Sequence, residues 1–183
     1  MTAKTKKLCL TAVGIALFVV LTLCLQVPVF ENYYLCLGYV VMAVYCYSFG
    51  VISGTVVGVF GVILYCLVIS GLRGMPGWAL GNVLIGIALG LTFRKTRKLH
   101  NTVKTAINAG MIVLSVTLGI LGVKSITESI LYLQPFLVRV GKNIYAWVAD
   151  MVVLIVSLPI CMTLHTTVQK MFPELMSGEN KDE

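Results

Sequence analysis

The chain has 183 residues, 58% of them hydrophobic and 11% charged, with 14 Lys and Arg against 7 Asp and Glu. A mean hydropathy of +0.96 excludes a soluble globule, which carries about a quarter of its residues as charged ones. The composition is that of an integral membrane protein, and the net charge of +7 becomes a question of which side of the bilayer each cation occupies.

Residues 1–7, MTAKTKK, form a basic N-terminus ahead of an apolar run over 8–27. That run has no small-residue cleavage site after it and has the length of a span rather than of a signal peptide, so it predicts a membrane-inserting first helix. Further spans are expected at 35–49, 51–70, 78–93, 105–123 and 144–165. Residues 35–70 are unbroken in their apolar character. A single helix of that length reaches about 54 Å, against a hydrocarbon core of about 30 Å. The chain must therefore turn back, and Gly50, with Ser53 and Gly54 beyond it, is the natural place. The expected fold class is an all-α integral membrane protein with six transmembrane helices, the second of them short. One domain over 8–165 lies between the basic N-terminus and an acidic tail over 166–183.

Six cysteines (Cys9, Cys24, Cys36, Cys46, Cys66, Cys161) are scattered without a C-x-x-C, mostly inside apolar runs, and read as small hydrophobes. His100 and His165 complete no ligand set, so neither metal nor cofactor is expected. Orientation follows from the cations. Lys4, Lys6 and Lys7, then Arg94, Lys95, Arg97, Lys98 and Lys104, then Lys170 and Lys181 fall on one side of a six-span chain. That side is expected to be cytoplasmic, with both termini on it. Arg73, Lys124, Arg139 and Lys142 fall on the other, in outer loops over 28–34, 71–77 and 124–143.

The outer side also carries the polar chemistry. Trp78 and Asn82 are four apart on the fourth expected helix, and Asn143, Trp147 and Asp150 are spaced four and three on the sixth, so each set shares a face. Asp150 is expected about 9 Å below the start of its helix, where a carboxylate is costly without a partner or a function. The loops add Glu31, Asn32, Tyr33, Tyr34, Glu128 and Tyr132. Trp78 and Trp147 also suit plain interfacial anchors, and Asp150 also suits a structural pairing with Arg73, Arg139 or Lys142. Together, aromatic planes, amides and charges over one end of a bundle suit a small ring-bearing or carboxylated solute. Small residues recur at Gly50, Gly54 and Gly58 and at Ala12 and Ala16, spacings that let helices approach closely. No G-x-x-x-x-G-K-[ST], H-E-x-x-H, G-x-S-x-G or paired-carboxylate motif is present, so no catalysis is expected of the chain itself.

Four passages resemble the substrate-binding S components of energy-coupling factor (ECF) vitamin transporters. They are the basic start running into TAVGIALFVV with Ala12 and Ala16; VPVFENYYLCLGYVVMAVYCYSFGVISGTVVG; GLRGMPGWALGNVLIGIALGL; and YAWVADMVVLIVSLPI. The resemblance implies a bacterial plasma-membrane subunit with one high-affinity vitamin pocket near the outer face. By position it would be built from Glu31, Asn32, Tyr34, Arg73, Trp78, Asn82, Arg139, Asn143, Trp147 and Asp150. It implies that Ala12 and Ala16 meet a membrane-embedded coupling subunit, that two cytoplasmic ATPases supply the energy, and that the S component topples to deliver its substrate inward. The loop over 71–77 would then gate the pocket. The other expected partners are the vitamin and the lipid bilayer, with no nucleic acid.

The vitamin is not specified: two aromatic helix ends favour a ring (thiamine or pyridoxine type, folate, riboflavin), and the mild positive bias admits pantothenate. The rival readings are a non-transport scaffold of the rod-shape-determining type, a stand-alone carrier or channel, and, for want of any catalytic pair, least of all a membrane enzyme.

Overall fold

The computed structural model describes residues 3–24, 28–30, 33–69, 71–72 and 74–171. Helix α1 (Ala3–Cys24) is followed by a small antiparallel ribbon, β1 (Pro28–Phe30) with β2 (Tyr33–Tyr34). Then come α2 (Gly38–Val68), α3 (Met75–Thr96), α4 (Asn101–Val116), α5 (Ser125–Tyr132) and α6 (Phe136–Met171). Between α4 and α5 the helix continues without a break through a π-helical segment, Thr117–Lys124. Apart from the ribbon and short connecting turns the described residues are helical. Five helical stretches are long and apolar enough to cross a membrane: Thr5–Cys24, Gly38–Val68, Met75–Thr96, Asn101–Tyr132 and Phe136–Met171.

The second of these is not one rod. Gly50 interrupts α2 with φ 84° and ψ −178°, a conformation in which any Cβ is strained. On either side the two arms lie against each other: a Cβ on Gly54 would fall 2.7 Å from the Cys46 Cα, and one on Gly58 would strike the Met42 side chain. Residues equally distant from Gly50 thus face one another, as in a hairpin. The reversal expected from chain length is present at the expected residue. The first arm has about 12 residues and rises about 18 Å, short of a full hydrocarbon crossing.

This hairpin is the centre of the molecule. Most of its first arm, residues 38–49, is buried. Helix α1 lies on it with Leu10, Gly14, Phe18 and Thr22 on one face. The Leu10 carbonyl accepts from the Tyr45 hydroxyl at 2.8 Å, and Phe18 is fully buried against Gly38 and Gly61. On the other side α3 packs along the second arm, with Gly86 against Thr55 and Gly90 against Val51. The large buried side chains Tyr39, Phe18, Phe93, Met42, Ile85, Leu89, Ile112, Ile120 and Leu154 fill the space between helices. Their burial, at about 25 cal/mol per Å2 of apolar surface in water, has little driving force in lipid, so close packing does the work.

Three expected boundaries are corrected. The third outer loop, expected over 124–143, is helical except for residues 133–135, where Leu133 turns the chain at φ 51°. The sixth expected helix begins at Phe136 rather than residue 144, so Asp150 lies about 21 Å along it rather than about 9 Å. Residues 75–77 of the second outer loop are the first turn of α3, with Pro76 at its start, where a missing N–H costs nothing.

Candidate functional site

One stripe of α6 organises the end of the bundle away from Gly50. Arg139, Asn143, Trp147 and Asp150 follow each other at spacings of four, four and three residues, one helical face stretching over about 16 Å. Each rung engages a different neighbour.

At the top, Arg139 pairs with Glu128 of α5 at 3.7 Å and lies over the Tyr132 ring at 4.7 Å. With Gly74, Gln134 and Lys142 these residues line a cavity of about 420 Å3. Two buried polar atoms in its wall have no hydrogen-bonding partner, Gln134 Oε1 and Arg139 Nε. One rung down, Asn143, 2% exposed, donates from Nδ2 to Ser125 Oγ at 3.0 Å and to Glu128 Oε2 at 3.1 Å. Glu128 therefore holds both Arg139 and Asn143, which fixes the cavity floor. Trp147 donates from Nε1 to Thr117 Oγ1 at 2.9 Å, tying α6 to the first residue of the π-helical segment.

The lowest rung is a closed polar network. The Tyr39 hydroxyl, fully buried, accepts from Trp78 Nε1 at 2.8 Å and donates to Asn82 Oδ1 at 2.7 Å. Asn82, also fully buried, donates from Nδ2 to the Gly58 carbonyl at 2.9 Å. Asp150 is a second acceptor beside the same Tyr39 hydroxyl, and the field of Lys124 reaches it. The Lys124 ammonium lies 5.8 Å above the Trp78 ring, which stands nearly perpendicular to Tyr65 at a centroid distance of 5.8 Å. An apolar surrounding makes each of these polar groups costly unless paired, and most of them are.

Helix α3 reaches this network because nothing stands between it and the π-helical segment. A Cβ on Gly81 would fall 2.8 Å from the Gly119 carbonyl oxygen. The wider π turn displaces one residue from the regular ladder and delivers Lys124 over Trp78 while Thr117 meets Trp147.

The structure brings Trp78, Asn82 and Asp150 into one network, and Arg139 and Asn143 into another above it, with Trp147 between. Asp150 does not pair with Arg139, which lies about 16 Å up the helix and is taken by Glu128; Lys142 lines the cavity instead. Glu31, Asn32 and Arg73 lie outside the described residues, and Tyr34 is described only as part of β2. Ala12 and Ala16 are exposed on the face of α1 opposite Gly14 and Phe18. Tyr39, Ser125, Thr117 and Gln134 were not expected. Tyr39 had a signal: a hydroxyl inside an apolar run needs a partner when buried. Glu128, expected in an outer loop, instead sits, 4% exposed, on the helix Asn101–Tyr132, a second acid within a span beside Asp150.

A family model described as "ECF-type riboflavin transporter, S component" matches residues 2–166. No curated protein and no solved structure gives a significant match. The chain belongs to that family, as a membrane-embedded S component of an ECF vitamin transporter.

Proposed function

We propose that this family member binds riboflavin, or a vitamin of the same planar shape, in the cavity between α3, α5 and α6. The observation that carries the reading is the pair of unpartnered buried atoms in the cavity wall, an acceptor on Gln134 and a donor on Arg139. A flavin ring presents an N–H beside carbonyl oxygens on one edge, which complements that pair, and a cavity of about 420 Å3 lies within the range of about 300–1,000 Å3 that holds small ligands. The guanidinium of Arg139, layered on Tyr132 and held by Glu128, offers a flat shelf for a ring. The network below, centred on Tyr39, ties α2 to α3.

The chain performs no chemistry of its own in this reading. Its basic end, with both termini, faces the cytoplasm, and the α2 hairpin brings the number of membrane helices to six. Ala12 and Ala16, exposed on α1, meet a coupling subunit driven by two ATPases, and the S component topples in the membrane to release its vitamin inward. The test is native mass spectrometry of tagged protein purified from its host. A flavin-mass ligand at one per chain, with a coupling subunit and two ATPases, supports the reading. A bare chain accompanied by cell-wall proteins overturns it in favour of a scaffold.

A further inference from the structure

The opposite, basic end of the bundle carries a feature that vitamin binding leaves unused. Four helices converge on Tyr47, near the hairpin turn. Arg97, just past α3, donates from Nη2 to the Tyr47 carbonyl at 3.1 Å. The Lys104 ammonium, on the first turns of α4, lies 5.0 Å above the Tyr47 ring. The His165 ring of α6 stands nearly perpendicular to the same ring, centroids 5.1 Å apart, and the fields of Arg97 and Lys104 both reach it.

Three observations say that this cluster lacks an anion. Lys104 is only 8% exposed as a residue, and an ammonium drawn in against a ring face gives up part of its hydration for a weak partner, which leaves it ready for an anion. His165 Nδ1 is buried with no hydrogen-bonding partner. Lys104 also stands in the first turns of a helix with no acid there and no side-chain cap on its N-terminus, where the helix dipole is positive and repels it. Among the described residues the only carboxylates are those of Glu128 and Asp150, both committed at the other end of the bundle. A negative group on Arg97, Lys104 and His165 would satisfy all three at once.

We propose that this cluster is a binding site for the phosphate of an anionic phospholipid, on the basic side of the membrane. The groups lie at the basic end of the bundle, the end that the distribution of cations assigns to the cytoplasmic surface, and basic pockets between helices near that surface take lipid headgroups. Two cations and an imidazole gathered around one tyrosine suit a phosphate better than a lone carboxylate. The inference stands apart from the vitamin reading, since it concerns the other end of the molecule.

The test is native mass spectrometry in a neutral detergent with added phosphatidylglycerol or phosphatidylcholine, on wild type, Lys104→Met and Lys98→Met. Wild type is expected to retain phosphatidylglycerol preferentially. Lys104→Met, which keeps the apolar stem, should lose roughly fivefold of that preference, the worth of one basic side chain near an anionic surface. Exposed Lys98 should be dispensable. Equal losses in both variants would overturn the proposal in favour of diffuse surface charge. Thermal stabilisation by inorganic phosphate alone, matching that by the lipid, would overturn it in favour of a soluble anion. A chain ending at Met171 that gains the lipid preference wild type lacks would overturn it in favour of the acidic tail as occupant. Unchanged melting of Lys104→Met in phosphatidylcholine would show that the variant is folded.

Discussion

Tyr39 and Asn82, 43 residues apart in the chain, share a 2.7 Å hydrogen bond that joins α2 to α3 in the interior of the bundle. Through the same hydroxyl Trp78 is fixed at 2.8 Å, and through its own amide Asn82 holds the Gly58 carbonyl at 2.9 Å. The second arm of the hairpin, the first arm and α3 therefore meet at one phenol. The cavity at Arg139 shares none of these residues.

Tyr39→Phe removes both hydrogen bonds while keeping the ring. It strands Trp78 Nε1 and Asn82 Oδ1 in a dry site, where each unsatisfied group costs about 1–3 kcal/mol. A clear fall in melting temperature is expected in detergent-purified protein, with the vitamin affinity of the folded fraction changed far less. Unaltered melting would mean that the junction carries no stability.

Arg139→Ala should weaken vitamin binding by about ten- to a hundredfold, the worth of a hydrogen bond to a charged group at about 1.5–3 kcal/mol. Arg139→Lys should fail to restore it, since an ammonium reproduces neither the flat guanidinium over Tyr132 nor its Nε donor. Isothermal titration of the two variants, with melting curves alongside, checks this. Full rescue by lysine would reduce the role of Arg139 to its charge.

Gly50→Ala places a Cβ where φ is 84°. That combination of φ and ψ is nearly confined to glycine and costs an L-residue about 1–3 kcal/mol, and the hairpin offers no slack to relax it, because its arms touch at Gly54 and Cys46. Lower yield of folded protein and earlier melting are expected; a control substitution at exposed Ile52, 77% accessible, should be silent.

Ala12→Trp with Ala16→Trp adds bulk to a face of α1 that touches nothing in the structure. Vitamin binding by the purified chain should be unchanged, while uptake in cells and co-purification of a coupling subunit should both be lost. Loss of binding as well would place that face inside the fold, against its observed exposure.

Much of this was readable in the chain. An apolar stretch too long for one crossing had to reverse, and glycine at position 50 was the residue able to do it. Helical spacing alone put Trp78 with Asn82 and Asn143 with Asp150, because periodicity survives whatever the helix packs against. What spacing could not convey was length beyond the apolar run. Polar residues between 124 and 143 resemble a loop by hydropathy, yet Glu128, Arg139 and Asn143 satisfy one another across two helices, and that pairing lets the helices extend. The π turn after Val116 has no signature in composition, and Lys124, which lies over Trp78, is its last residue. Tyr39 passed as one more apolar residue because its partners lie on α3, far along the sequence.

The central claim is that the cavity edged by Arg139, Gln134 and Tyr132 holds a flavin. Titration of the purified chain with riboflavin, followed by quenching of the flavin's own fluorescence, tests it most directly. The account predicts saturation at one flavin per chain in wild type and loss of that quenching in Arg139→Ala protein that melts normally. Folded wild-type protein that leaves the fluorescence of riboflavin unchanged, or Arg139→Ala protein that binds as wild type does, would contradict it.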